Sequence, residues 1–178
     1  MNKYSFPNIL VVGANHRKAG KSKLIESIIR HFRYEDIIAI KIAAYDKLAD
    51  FEKHYPEHGE MIVIDEKEKA DRKDSKRFLK AGASKSLFIA GMEKALLQKI
   101  PEILTAFRSR PVIVESNWFA LKYEPGYVLM LEDKSAKTYK QSFHDLKKRA
   151  DSIVPLDTIT ELALNFWQFE ENTWKIGI

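Results

Sequence analysis

Short apolar runs alternate with helical patterns along most of this chain. The apolar runs cover residues 9–12, 37–43, 61–64, 86–90, 111–115, 127–131 and 152–154. Continuous runs of this kind are typical of strands that helices cover on both faces of a sheet. The run at 61–64 interrupts a polar and charged segment, so we expect it to form a short edge strand.

Between the runs, apolar residues recur at the spacing of amphipathic helices. The pattern predicts helices over residues 21–32, 74–81 and 92–107, near 143–150, and over 158–169. Gly82 follows the second of these helices, and a glycine in the left-handed conformation is a common helix end. Pro101 lies inside the third helix, which we expect it to kink or divide.

The alternation of strands and helices predicts the fold class. It indicates βα units, and therefore an α/β fold of three layers with a mainly parallel sheet and helices on both faces. No repeat, low-complexity tract or linker interrupts the pattern, so we expect residues 1–178 to form a single domain. Ligands of such folds bind at the carboxyl ends of the strands. Residues that directly follow a strand are the first candidates for a functional site.

A phosphate-binding loop is predicted between the first strand and the first helix. Ala19-Gly20-Lys21-Ser22 matches the second half of the Walker A motif G-x-x-x-x-G-K-[ST], in the strand–loop–helix context that the motif requires. Asn15 occupies the first glycine position, and we expect the loop to form because asparagine tolerates a positive φ. The predicted nucleotide-binding residues are Asn15, His16, Arg17, Lys18, Ala19, Gly20, Lys21 and Ser22.

The chemistry of the motif gives roles to individual side chains. Lys21 is expected to reach the β- and γ-phosphates of a purine nucleotide, GTP or ATP, and Ser22 to bind Mg²⁺. Glu115 closes the apolar run 111–115, and an acidic residue at such a position holds Mg²⁺ directly or through water. The alternative is that Glu115 is an ordinary charged residue at the start of a loop.

Three other charged residues each have two interpretations. Lys41 lies inside the apolar run 37–43, where a buried lysine needs a partner. It either contacts phosphate or is solvated at an edge of the sheet. Asp74 and Arg77 are one helical turn apart. They either lie near the metal and an anion, or form an ion pair on an exposed helix face.

Composition narrows the classes of function. The chain has no cysteine, which excludes disulfides, zinc–thiolate sites and thiol nucleophiles. Its net charge of +5 is modest and interspersed with acids, which favours a small anionic ligand over a nucleic acid. Residues 1–7 lack the apolar core of a signal peptide, and no run approaches the ~20 apolar residues of a membrane span. We expect a cytoplasmic protein with no membrane or nucleic-acid partner.

The order of these motifs resembles that of the molybdopterin-guanine dinucleotide biosynthesis adaptor family, small proteins of the P-loop NTPase fold. The resemblance rests on Gly20-Lys21-Ser22, Ile40-Lys41, Asp74-Ser75 with Lys80-Ala81-Gly82-Ala83, and Val114-Glu115. It implies a GTP-binding accessory protein of molybdenum cofactor biosynthesis with weak NTPase activity. The implied partner is a molybdopterin nucleotidyltransferase or a molybdoenzyme, and a homodimer stays open.

The resemblance also implies roles for residues that spacing alone leaves open. It makes Asp74 and Glu115 candidate catalytic residues, places the metal on Ser22, Glu115 and Asp74, and adds Arg77 to the site. The sequence has no guanine-recognition motif of the Asn/Thr-Lys-x-Asp type, so a preference for GTP over ATP rests on the resemblance alone.

Two other functions fit the same sequence. A small P-loop kinase would transfer the γ-phosphoryl group to a metabolite, with the segment 44–73 closing over the substrate. A protein with a degenerate loop would bind no nucleotide and act only through interactions with other proteins.

Overall fold

A mainly parallel sheet of seven strands forms the middle layer of the molecule. The computed structural model describes residues 4–66, 73–161 and 167–176, with the side chains at 73–75, 159–161 and 176 left aside. In chain order the strands are β1 (Ser5–Ala14), β2 (Ile38–Tyr45), β3 (Met61–Asp65), β4 (Lys85–Met92), β5 (Val112–Glu115), β6 (Glu124–Glu132) and β7 (Ser152–Pro155). Their order across the sheet is β3-β4-β2-β5-β1-β6-β7. Only the β3–β4 pair is antiparallel among these strands, and β3 lies at the edge, as predicted.

Helices cover both faces of the sheet. They are α1 (Lys21–His31), α2 (Leu48–His54), α3 (Lys73–Ala81), α4 (Glu93–Thr105), α5 (Asn117–Lys122) and α6 (Gln141–Leu146). Along β1 the side chains alternate between the two faces. Leu10 packs in a core with α1 and α3, and Val11 packs in a second core with α4, α5 and α6. The predicted three-layer α/β fold is confirmed.

The predicted closing helix over residues 158–169 is wrong. A 3₁₀ helix spans Leu156–Glu161, and a β-hairpin follows, formed by β8 (Trp167–Glu170) and β9 (Thr173–Ile176); residues 162–166 lie outside the described part. The hairpin turns at Glu171 and Asn172, which both have a positive φ, as a type I′ turn requires. Trp167 from β8 and Trp174 from β9 are both buried against the α1 face of the sheet, and their burial holds this segment in place.

Two predicted features of helices have different outcomes. Gly82 ends α3 with a φ of 117°, and the amides of Gly82 and Ala83 donate to the carbonyls of Leu79 and Phe78, the two bonds of a Schellman motif. Pro101, in contrast, does not divide α4, which continues to Thr105. Proline deprives the carbonyl of Leu97 of its helical donor, and the Tyr123 hydroxyl donates to this carbonyl at 3.4 Å.

The remaining differences are short helices. The polar pattern did not predict α2 or α5, which have seven and six residues. The helix predicted near 143–150 begins earlier and ends at Leu146. Among the helices described, none combines the length and the apolar sequence that crossing a membrane requires.

Candidate functional site

The loop between β1 and α1 leaves the amides at the start of α1 open to a ligand. Gly20 precedes the helix with φ 76° and ψ 4°, a left-handed conformation that suits glycine. No side chain caps this helix end, and its first turn contains no acidic residue. Four amides at a helix start have no partner within the helix, and with the helix dipole they favour an anion. This geometry suits the predicted phosphate-binding loop, residues 15–22, which we call the phosphate loop.

A buried carboxylate lies next to this loop. β5 runs between β1 and β2, and its last residue, Glu115, is in register with Val12 and Lys41. The Ser22 hydroxyl is 3.4 Å from Glu115 Oε2, and Lys21 Nζ and Lys41 Nζ are 3.9 and 3.8 Å from Glu115 Oε1. The structure therefore brings together the predicted loop residues and the predicted acidic residue. Lys41 is not at an edge of the sheet, because β2 lies between β4 and β5, and its side chain faces this cluster. Its contact with phosphate stays a prediction.

Several cations compete for this single carboxylate. Burial lowers the pKa of Lys21; Glu115 opposes this shift, and Lys140, Lys41 and Arg17 add to it. Burial also lowers the pKa of Lys140, with a further contribution from Arg17. A bound polyanion would relieve the repulsion among these cations, because it adds negative charge where burial disfavours the ammonium groups.

Lys140 lines a large cleft beside this cluster and is not among the predicted site residues. Its amide donates to the carbonyl of Asn15 at 2.8 Å, so the chain after β6 is fixed to the start of the phosphate loop. The only signal in the sequence was its position in a loop between a predicted strand and a predicted helix, which many lysines share.

The explanation offered for Asn15 is wrong. Asp36, Glu171 and Asn172 are the only described residues other than glycine with a positive φ, so Asn15 does not use the left-handed conformation. Its side chain is fully buried and bonds the backbone of Asp133, donating to the carbonyl at 2.8 Å and accepting from the amide at 3.1 Å. Asn15 therefore anchors the loop to the segment after β6.

His16 adds a second contact between the same two segments. His16 Nε2 is 2.8 Å from Asp133 Oδ2, and its Nδ1 accepts from the amide of Lys18. Hydrogen bonds from the Ser135 hydroxyl, and next from His16, lower the pKa of Asp133. Asn15 and His16 thus have structural partners, and Arg17 and Lys18 at the tip of the loop line the same large cleft.

A cleft of about 1730 Å³ opens above the phosphate loop. Among the described residues, eight lysines or arginines and three carboxylates line it. The cations are Arg17, Lys18, Lys21, Lys23, Lys41, Arg77, Lys122 and Lys140, and the acids are Asp46, Glu93 and Glu115. This excess of positive charge attracts anions into the cleft.

A smaller cavity of about 370 Å³ lies at the carboxyl ends of β6 and β7. It is lined by Asp133, Lys134, Ser135, Leu156 and Asp157. Leu156 also lines the large cleft, so the two spaces share one residue of their walls.

The predicted residues of α3 have different outcomes. Asp74 lies in the first turn of α3, but its side chain is outside the described part, so its proposed contact with metal stays a prediction. Arg77 lines the cleft and its Nε is 2.6 Å from Glu26 Oε1 of α1. This ion pair ties α3 to α1 and holds the guanidinium at the edge of the cleft.

The two residues after Glu115 have structural roles beside the site. The Ser116 hydroxyl accepts from the amide of Phe119 and caps α5. The Asn117 side chain bonds both backbone groups of Ala14 at 2.9 Å. A Cβ on Gly13 would lie 2.6 Å from Asn117 Oδ1 and 2.4 Å from Met130 Sδ, which explains a glycine at the end of β1.

The oxygens of Ser22 and Glu115 suit Mg²⁺. This ion binds proteins through one or two oxygen ligands and completes its shell with phosphate and water. No group of three or more His, Cys, Asp or Glu side chains is placed to hold a metal within the described ranges. Binding of Mg²⁺ by Ser22 and Glu115 stays a prediction.

Comparison with known proteins finds no matching family model, no matching curated protein and no matching solved structure. Fold and site geometry therefore carry the functional argument.

Proposed function

We propose that this protein binds a purine nucleoside triphosphate, GTP or ATP, with Mg²⁺ on the loop 15–22. The cluster of Lys21, Ser22, Lys41 and Glu115 carries the proposal. It brings together a lysine, a serine hydroxyl and an acidic side chain, the three groups that such loops use to bind phosphate and metal. The open amides at the start of α1 and the cationic cleft support it.

The direction of the bound nucleotide follows from the positions of these groups. Lys21 contacts the β- and γ-phosphates in loops of this type, and Mg²⁺ bridges the same two groups. Glu115 and Lys41 lie on the β5–β2 side of the loop, so the terminal phosphate faces that side. The nucleoside then extends towards β6 and β7, where the smaller cavity can receive it.

For the cellular role we propose a nucleotide-binding accessory protein of molybdenum cofactor biosynthesis with weak NTPase activity. Its support is the resemblance in motif order, above all the run from Asp74 to Ala83. The same resemblance suggests a molybdopterin nucleotidyltransferase or a molybdoenzyme as partner, and a homodimer as one possible assembly. Slow hydrolysis fits a cleft in which none of the described lining residues is glutamine and Arg77 is already paired with Glu26.

A nucleotide titration of the native protein tests the proposal. Millimolar GTP or ATP with Mg²⁺ should raise the Tm, since a ligand of the native state stabilises by about 2.7 kcal/mol at 100 times its Kd. Lys21→Ala should abolish the shift. Lys99→Ala, which removes an exposed lysine paired with Glu102 on α4, is the matched control and should preserve it.

The outcomes separate the competing functions. An unchanged Tm with every purine nucleotide would end the proposal and favour a protein that acts only by interaction. Fast multiple turnover without an acceptor would contradict an accessory role. A small P-loop kinase is the second candidate, and one observation favours it: the cleft extends well beyond the space around the phosphate loop.

A further inference from the structure

Two strands continue past the cluster at Glu115. β5 ends at Glu115, opposite Lys41, whereas β2 continues to Tyr45, which pairs with Met92 at the end of β4. Four residues at about 3.3 Å each carry β2 roughly 13 Å beyond the row of Lys41. The projecting ends of β2 and β4 border a part of the cleft that we call the β2–β4 arm.

Aromatic side chains line this arm from two sides. On the α1 face of the sheet, Tyr45 at the end of β2 meets α2, which contributes His54 and is followed by Tyr55. On the other face, α5 contributes Trp118 and Leu121. The arm thus passes over the end of β2, between a wall of tyrosine and histidine and a wall that contains an indole.

The rings are held in place by their neighbours. Tyr45 is 5.6 Å from Phe51 and 6.3 Å from Tyr55 between ring centroids, both in edge-to-face geometry. Trp118 Nε1 donates to Glu93 Oε2 at 3.0 Å, and Lys122 Nζ donates to the other oxygen of Glu93. Because these contacts fix the rings while Tyr45 and Trp118 still line the cleft, both rings are preorganised for stacking.

The arm is more space than one nucleotide needs. Ligand sites are usually about 300–1,000 Å³, whereas the cleft has about 1730 Å³ in addition to the cavity beside β6 and β7. If the nucleoside lies towards β6 and β7, the terminal phosphate faces the entrance of the β2–β4 arm. A second molecule in the arm would meet that phosphate beside Lys41.

We propose that the β2–β4 arm binds a second ligand that carries a flat aromatic ring, with its polar end at the terminal phosphate of the nucleotide. The aromatic rings of Tyr45 and Trp118 supply stacking surfaces, and Lys41 lies where the two ligands meet. The inference rests on the proposed nucleotide site, because the position of the terminal phosphate defines the orientation of the second ligand.

A probe with two nucleosides tests the arm. Diadenosine and diguanosine pentaphosphate carry a second aromatic base at the far end of the phosphate chain, and adenosine and guanosine 5′-tetraphosphate carry none. For whichever base binds, the native protein should bind the pentaphosphate about tenfold more tightly than the tetraphosphate, since stacking of one base on an aromatic side chain contributes roughly that much. Isothermal titration calorimetry measures both affinities under the same salt and Mg²⁺ conditions.

Matched variants locate the effect. Tyr45→Leu and Trp118→Leu should each reduce the tenfold preference to threefold or less, without changing tetraphosphate affinity. Tyr45→Phe retains the ring and should retain the preference. His54→Ala removes an exposed side chain that lines the arm, so this variant should fold even if Tyr45→Leu does not. A smaller preference for the pentaphosphate in His54→Ala would support binding of the second base in the arm.

The results separate the two proposals. Equal affinity for pentaphosphate and tetraphosphate in the native protein would overturn the proposal that the arm binds a second ligand, and would leave the proposal of nucleotide binding in place. A tenfold preference that survives Tyr45→Leu, Trp118→Leu and His54→Ala alike would also overturn it, because the second base would then bind elsewhere. If neither compound binds, the nucleotide site itself is wrong.

Discussion

At its carboxyl end β5 closes with a buried carboxylate between two lysines; at its amino end it meets a buried indole. Trp174 Nε1 donates to the carbonyls of Asn8 in β1 and Val112 in β5 at 3.0 and 3.3 Å. Glu115 lies at the other end of β5 beside Lys21 and Lys41. Burial of the indole at the amino end stabilises the fold. At the carboxyl end, burial disfavours the charged form of the lysines, as the lowered pKa of Lys21 indicates.

This difference suggests a division of labour along the same strands. The hairpin at the amino end stabilises β1 and β5, which hold the loop and Glu115 in position at the carboxyl end. Substitutions at the amino end should therefore change the free energy of unfolding. Substitutions at the carboxyl end should change ligand affinity with a smaller effect on unfolding.

The largest effect is expected from Trp174→Ala. Removal of a buried tryptophan costs about 3–5 kcal/mol, and here it also leaves two buried carbonyls without their indole donor. Urea unfolding measures the loss, and Trp174→Phe is the control that keeps most of the packing and should lose less. A loss under 1 kcal/mol, or weaker nucleotide binding by protein that is still folded, would contradict the division of labour.

The sequence alone did not predict this hairpin, and the reason is physical. Residues 158–169 have enough apolar residues at helical spacing to predict a helix. Contacts between residues far apart in sequence decide the structure instead. Trp167 and Trp174 pack on the α1 face of the sheet, and the turn at Glu171 and Asn172 places both side chains on that face. Local patterns do not contain that information.

The candidate site could be predicted in part for the opposite reason. The carboxyl ends of parallel strands meet at one edge of the sheet, so the sequence alone predicts that Ser22 and Glu115 lie close together. The role of Asn15 was not predictable, because its partner Asp133 is far away in sequence and bonds it through backbone groups. Lys140 was missed for the same reason.

The second prediction concerns Tyr123, whose ring packs near the amino end of β1 against Phe6. Burial raises the pKa of Tyr123 to about 12. The unfolded chain releases this proton near pH 10, so between about pH 10 and 12 the native state binds more protons and stability falls as pH rises. By pH 11.5 the fall attributable to Tyr123 should reach about 2 kcal/mol.

Urea unfolding between pH 9 and 11.5 measures this fall in the free energy of unfolding. Tyr123→Phe should be less sensitive to pH in this window than the native protein, although it loses the bond to the Leu97 carbonyl at every pH. Parallel pH profiles for the two proteins would show that burial of the phenol does not affect stability.

The third prediction addresses the charge cluster. Glu115→Gln keeps the shape of the side chain and removes the negative charge that suits Mg²⁺. It should weaken Mg²⁺-dependent nucleotide binding about tenfold, or about 1.4 kcal/mol, and leave metal-free binding unchanged or tighter. Titrations with Mg²⁺ and with EDTA measure both values. Glu93→Gln, at another carboxylate of the cleft, is the control and should leave the Mg²⁺ dependence intact. Identical Mg²⁺ dependence in the Glu115 variant and the native protein would exclude Glu115 as a metal ligand.

The smallest effect is expected from Lys41→Met, which removes one of the two lysines beside Glu115 and keeps much of the side chain's apolar length. If the terminal phosphate faces β2, the triphosphate should lose about three- to fivefold in affinity and the diphosphate less, because a single partly exposed charge contributes about 1 kcal/mol. The free energy of unfolding without ligand should change little, since Lys21 still accompanies Glu115.

Lys23→Met is the control. It removes an exposed cation of α1 that also lines the cleft, and it should affect the affinities for di- and triphosphate alike. Equal losses for both nucleotides with Lys41→Met would place the terminal phosphate away from β2 and reverse the direction assigned to the nucleotide.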